Sequence, residues 1–250
     1  MDGQAIGRIL DYMHGHGGLF LGLMRFNYYP TPIGSYRADG LPGYRTTGVD
    51  NVYLPSYIRM VAAQGDAERQ ILSFYGKLAH GMTRNTYVSG EGATLGAEPG
   101  VYYRSCYGTP CSANNTTFLL NLRLMLVRES FNHETGVPEG LFLAQATPRA
   151  WLEDGKTIDV KEAPTCFGPV SYRIQSHVAE KYVQVAVTLP ERNAMTATKL
   201  KLRLPQPYRI AEVTAGDTLV PFDAATEELE LSKVRGMLEL KVLLDDSPAP

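Results

Sequence analysis

Two hydrophobic periodicities divide the chain, and they change over near its midpoint. Up to about residue 135 the apolar positions follow a helical repeat. Ile6, Ile9, Leu10 and Met13 recur at three- and four-residue intervals behind Asp2, a residue type suited to cap a helix. A second helical pattern passes through Tyr57, Ile58 and Val61 and stops near Gly65. Asp66 then opens a third, with Ile71, Leu72, Tyr75, Leu78 and Met82 on one face. So short a turn between the two predicts a helical hairpin. Phe118 to Arg128 is apolar nearly all round, the pattern of a buried helix.

Beyond about Gly140 the repeat shortens to two. Val183, Val185 and Val187 alternate with Gln184 and Ala186. Leu200, Leu202 and Leu204 alternate with Lys201 and Arg203, and Leu238, Leu240 and Val242 with Glu239 and Lys241. Such alternation marks half-buried antiparallel strands, and Asp154-Gly155 and Ala215-Gly216-Asp217 supply turns between them. The expectation is an α+β protein of two domains. Residues 1–138 form the helical one and 139–250 an antiparallel β-sandwich of roughly six to eight strands.

Composition narrows the function classes. A 250-residue chain with 44% hydrophobic and 20% charged residues reads as globular. A net charge of −2 offers no attraction for nucleic acid or an anionic membrane, so neither is expected as a partner. No run reaches the roughly 18 apolar residues of a membrane span. The N-terminus lacks the basic and apolar regions of a signal peptide, which leaves the compartment open. Cys106, Cys111 and Cys166 are too few for a disulfide framework, and the first two have no His nearby to complete a zinc site. His14 and His16, two apart, do not share a helix face. No metal or cofactor is expected.

Two loops in the first half carry the candidate chemistry. Residues 27–53 contain Tyr36, Tyr44, Arg45 and Asp50 among restricting prolines and glycines, and long loops of this kind are usually functional. Residues 81–92 hold Glu91 between Gly90 and Gly92, with Arg84 and Tyr87 upstream and His80 at the loop's entry. Ser89 lacks the frame of a nucleophile elbow. Of the 15 tyrosines, 12 precede residue 131, and tyrosine offers a sugar both an apolar face and a hydroxyl. Glycosidic chemistry requires two carboxyl groups. Glu91 is the first candidate and Asp50 the second, with Asp39 and Glu98 behind them. Glu91 is read equally as a partner of Arg84, and Asp50 as a cap for the helix that begins near Pro55. Arg84, Tyr87, Tyr44, Arg45, Tyr36 and His80 are the candidate substrate-binding residues. Asn114-Asn115-Thr116-Thr117 contains glycosylation sequons and equally suits a helix start.

The stretch from Tyr75 to Arg84, running on to Val88-Ser89-Gly90-Glu91-Gly92, resembles the closing part of bacterial six-hairpin glycosidase-like proteins. So do Leu122 to Glu129, Ala146 to Leu152 and Ala163 to Val170. That resemblance implies a partial (α/α)6 helical toroid followed by a β-sandwich. It also implies that the chain is the C-terminal part of a longer protein. The function expected from it is a glycoside hydrolase fragment acting on an oligo- or polysaccharide of plant or microbial origin. A polysaccharide lyase using Tyr87, His80, Asn85 and Arg84 is the alternative, and a non-catalytic glycan-binding protein a third reading. The β half is expected to be structural.

Overall fold

A computed structural model describes residues 3–25, 36–37, 45–50, 52, 54–98, 101–191 and 195–247. Among them are four α-helices and seventeen strands, and the chain divides into two compact units, Met1–Leu124 and Met125–Pro250.

The first unit contains α1 (Gly3–Gly15), β1 (Leu19–Phe20), β2 (Leu23–Arg25), β3 (Tyr36–Arg37), β4 (Arg45–Asp50), α2 (Leu54–Ala63), α3 (Ala67–His80), β5 (Gly92–Glu98), β6 (Val101–Tyr107) and α4 (Ser112–Leu126), whose last two residues fall past the unit boundary. Strands β1-β2-β4-β5-β6 hydrogen-bond in that order, with β3 paired to β4, and every pairing is antiparallel. Leu10 and Met13 of α1 share one core with Leu54, Tyr57, Ile58 and Val61 of α2 and with Leu23, Val49, Ala93 and Leu95 of the sheet.

This architecture overturns the expected helical toroid, and with it the resemblance to six-hairpin glycosidases. Much of what reads as loop between the helical patterns is strand. Gly92–Glu98 contains two glycines and two alanines, so it has neither the bulky apolar residues nor the alternation by which strands are recognised in sequence.

The helix α3 begins where the sequence places it: the Asp66 carboxylate accepts from the Arg69 N–H at 3.1 Å. Its faces are reversed, however. Gln70, Ser73, Phe74, Gly76 and Lys77 are buried, whereas Leu72 and Tyr75 are exposed. Gly76 fixes this orientation, because a Cβ there would collide with the Leu21 carbonyl oxygen. On the buried side Phe74 stacks on Phe118 of α4 with ring centres 4.6 Å apart, and the Asn121 side-chain amide donates to the Gln70 carbonyl at 3.3 Å. The helix α4 is not apolar all round either, since Asn114, Thr117 and Asn121 share its buried positions with Met125 and Leu119 is exposed. Asp2, proposed to cap α1, lies outside the described residues.

The second unit is built from β7 (Val127–Phe131), β8 (Pro138–Leu143), β9 (Thr157–Ala163), β10 (Val170–His177), β11 (Tyr182–Leu189), β12 (Ala197–Lys201), β13 (Arg209–Ala215), β14 (Thr218–Leu219), β15 (Phe222–Asp223), β16 (Glu228–Glu230) and β17 (Gly236–Asp245). One sheet has the order β14-β13-β17-β11-β10-β9 and the other β15-β16-β12-β8-β7. The pair is sandwich-like, but it departs from the expected purely antiparallel sandwich at β8 and β12, which run parallel, Ala197 to Leu200 opposite Gly140 to Leu143. Inward residues of both sheets form one core that includes Tyr172, Ile174, Val183, Val185, Val187, Leu240 and Val242 from the first and Leu141, Leu143, Leu200 and Leu229 from the second. Tyr172 is buried to its tip, where the hydroxyl donates to the Leu126 carbonyl at 2.9 Å. Leu202 and Leu204 stay in the core although β12 ends at Lys201.

Candidate ligand-binding site

The loop 81–92 is a closed structure, held by its own hydrogen bonds. The Thr83 N–H donates to the Val88 carbonyl at 2.9 Å, the Tyr87 N–H to the Thr83 carbonyl at 3.0 Å, and the Val88 N–H to the Thr83 hydroxyl at 2.9 Å. Asn85 and Tyr87 take left-handed conformations at φ 67° and 53° to close it. The start of α4 clamps its far end. The buried Asn114 amide donates to the carbonyls of Gly90 and Glu91 at 2.6 and 2.7 Å, and the Asn115 side-chain oxygen accepts from the Ser89 N–H at 3.2 Å. Asn114 is thus a structural clamp inside the fold, inaccessible as a glycosylation acceptor.

The glycines around Glu91 make room for the chain itself. A Cβ on Gly90 would stand 2.5 Å from the Tyr107 carbonyl oxygen, and one on Gly108 would stand 2.9 Å from the Glu91 Cβ. The Glu91 side chain is exposed beside Gly108, and its N–H donates to the Tyr107 carbonyl at 2.9 Å. Arg84 is exposed as well. Among the described residues no hydrogen bond or ion pair joins the side chains of Glu91, Arg84 and Tyr87 to one another, so the reading of Glu91 as Arg84's partner is not realised.

Several of the other sequence candidates fall wholly or in part outside the described residues. Register places Asp50 opposite Gly92, one residue from Glu91, as a residue of β4 and not as a cap. Its side chain lies outside the described residues, as do those of Tyr36 and Arg45, whose backbones pair in the β3–β4 ladder (Tyr36 opposite Thr46, Arg45 opposite Arg37). Tyr44 lies wholly outside them. His80 ends α3, where burial first and the nearby Arg104 second hold its imidazole below the usual histidine range. Tyr87, 58% exposed, lines an open groove of about 340 Å³ with Leu78, Met82, Asn115, Phe118 and Leu119. Neither Glu91 nor Arg84 lines that groove. Among the described residues no group of three or more His, Cys, Asp or Glu is placed to hold a metal ion, and no helix is long and apolar enough to cross a membrane.

A better-built site lies on the outer face of the six-stranded sheet, in the half read from sequence as structural. The ladders put residues of three adjacent strands into two rows. Gln175, Gln184 and Lys241 stand side by side in one, and Arg173, Ala186 and Glu239 in the next. Thr214 extends the first row by one strand. All point away from the core because their neighbours Ile174, Val185 and Leu240 point into it. Around the short Ala186 side chain the longer ones enclose a groove of about 480 Å³.

The polar groups of this groove are uncommitted. Among the described residues the side chains of Arg173, Gln175, Gln184 and Glu239 make no hydrogen bond or ion pair with any part of the chain. Asp159, the residue opposite Arg173 on β9, is paired with Lys161 at 3.5 Å. Arg173 and Glu239 are kept apart by Ala186, two strand spacings or roughly 10 Å between backbones. Only Lys241 is braced: its ammonium sits 5.2 Å from the centre of the Tyr182 ring, which stacks on His177 at 4.6 Å.

Sequence reasoning passed over these residues because Gln184, Ala186, Glu239 and Lys241 are the ordinary polar positions of alternating strands. The usable signal is Ala186, a small residue among long polar ones, but it acquires meaning only when the register brings β10 and β17 to either side of β11. Comparison of the chain with protein-family models, with curated proteins and with solved structures gives no match.

Proposed function

We propose that this protein binds a glycan on the outer face of its six-stranded sheet, in the groove floored by Ala186. The observation that carries this reading is the set Arg173, Gln175, Gln184 and Glu239, whose side chains have no hydrogen-bond or ion-pair partner among the described residues. Each retains its donors and acceptors. Gln175 and Gln184 offer amides that both donate and accept, which suits vicinal hydroxyls; Arg173 donates and Glu239 accepts. Their strands form a continuous ladder, so the backbones that carry these groups are held on a rigid support.

The reading is of binding rather than bond cleavage. Cleavage of a glycosidic bond by the usual route uses two carboxyl groups on either side of it, and the groove is lined by one, Glu239.

Filling the floor tests the proposal. Ala186→Leu places a branched side chain where the ligand is to sit, on a face that contributes nothing to the core. Titration calorimetry against a panel of plant and microbial oligosaccharides is expected to show binding by the unaltered protein and a loss of at least about tenfold in the variant, with an unchanged melting temperature. Equal binding by the two proteins would move the site elsewhere.

A further inference from the structure

We infer that the groove selects acidic sugars, with Arg173 receiving the carboxylate of a uronate residue. This rests on the reading of the groove as a glycan site.

Charge within the groove is unbalanced. Arg173 and Lys241 bring two cations and Glu239 one anion. The nearest competitor for Arg173 is Asp159, directly opposite on the adjoining strand, and it pairs with Lys161 instead. Arg173 is therefore a guanidinium with its planar fork of N–H donors unspent. A carboxylate is the group that this fork matches bidentately, whereas a lone hydroxyl uses one donor and leaves the charge uncompensated.

A uronate also fits what lies beyond Arg173. Its carboxylate is attached to a ring that carries hydroxyls along its other edges. Anchored on Arg173, the ring lies over Ala186, and its hydroxyls face Gln184 in the neighbouring row and Glu239 across the floor. Glu239 accepts from hydroxyls and repels a carboxylate, so it disfavours the reversed orientation. Lys241 sits diagonally from Arg173, braced on Tyr182, and adds a second positive field for the next acidic residue of an oligomer. Because these groups are exposed, the preference weakens as salt is added.

The test compares uronate oligomers with neutral oligosaccharides of equal length, by titration calorimetry on the full chain and on Arg173→Gln. The expected result is at least about tenfold tighter binding of a uronate oligomer than of a neutral one, a preference that Arg173→Gln reduces to near parity because it weakens uronate binding by much more than neutral binding. Raising the salt from 50 to 500 mM is to narrow the wild-type preference. Equal wild-type affinity for acidic and neutral ligands, or a preference that survives Arg173→Gln, overturns the acidic-sugar inference and leaves the glycan reading standing. Binding of neither class overturns both. The wild-type comparison decides the matter even should the variant fail to fold.

Discussion

Arg149 grips Glu227 through two parallel hydrogen bonds of 2.8 and 3.0 Å, although 78 residues separate them in sequence. The same guanidinium donates to the Leu204 carbonyl at 2.5 Å, and Glu227 accepts in turn from the Leu204 N–H at 3.3 Å. Glu227 holds a left-handed backbone at φ 58° to reach this position. The pair thus ties three segments of the second unit to one another where the ladder of β12 has already ended.

Arg149→Met keeps the aliphatic bulk and removes the fork. It is expected to lower the unfolding free energy by about 1–3 kcal/mol, since Glu227 loses a bidentate partner in a mostly covered site. Urea denaturation monitored by far-ultraviolet circular dichroism measures this, and a change below about 0.5 kcal/mol would show that the pair is energetically idle.

Asn114 makes a different kind of prediction, about one loop. Asn114→Ala withdraws two hydrogen bonds from the carbonyls of Gly90 and Glu91, at a cost of about 2–3 kcal/mol. The loss is local first. Hydrogen exchange at the Glu91 N–H, protected by its bond to the Tyr107 carbonyl, is expected to accelerate well before that of the β10–β11 ladder. Uniform acceleration across the chain would contradict this.

Alkaline pH acts on two buried phenols. Burial pushes the hydroxyls of Tyr57 and Tyr172 well above the usual tyrosine range. The folded protein holds protons that the unfolded chain releases above about pH 10. Stability from these groups is complete below that pH and is lost as pH rises past it. Denaturation midpoints at pH 8, 10 and 11 are expected to fall in that order, more gently in Tyr172→Phe. An identical slope in that variant would remove Tyr172 from the account.

Tyr182 does not line the groove, but its ring centre lies 5.2 Å from the Lys241 ammonium. Tyr182→Leu releases the ammonium, and acidic ligands are expected to bind about two- to fivefold more weakly, the worth of an exposed cation–π contact. Neutral oligosaccharides are the control. A drop for both classes alike would point to a general change in the sheet face.

How far the sequence foretold this molecule depends on what each segment buries. Val183, Val185 and Val187 lie in the centre of a sheet with one face in the core, so their alternation is a direct record of the fold. Asp66 caps its helix by a purely local bond and is just as readable. The strands of the first unit carry no comparable record: β4 and β5 pair through Gly48, Gly92 and small neighbours, with Val49, Ala93 and Leu95 their contribution to the core. The apolar stripe of α3 does not mark its buried face because the close approach of Gly76 to the Leu21 carbonyl overrides it, and that contact spans 55 residues. The groove was invisible for a related reason. Its six defining residues come from three strands whose neighbour relations are set by topology, and only the short Ala186 stands out within its own strand.

The parallel pairing of β8 with β12 bears on the order in which the second unit assembles. Strands β10 and β11 meet across a short connection, Ser171 through His177 opposite Thr188 through Tyr182, and form a hairpin with little chain to close. By contrast, Gly140 must find Ala197 in the same direction, with that whole hairpin in between. Loop closure of this length delays the contact. The β10–β11 hairpin is therefore expected to form before the β8–β12 pair. Strand β17, which brings Glu239 and Lys241 to the groove, closes onto β11 across a span comparable to that between β8 and β12, so the groove is completed no earlier than the second sheet.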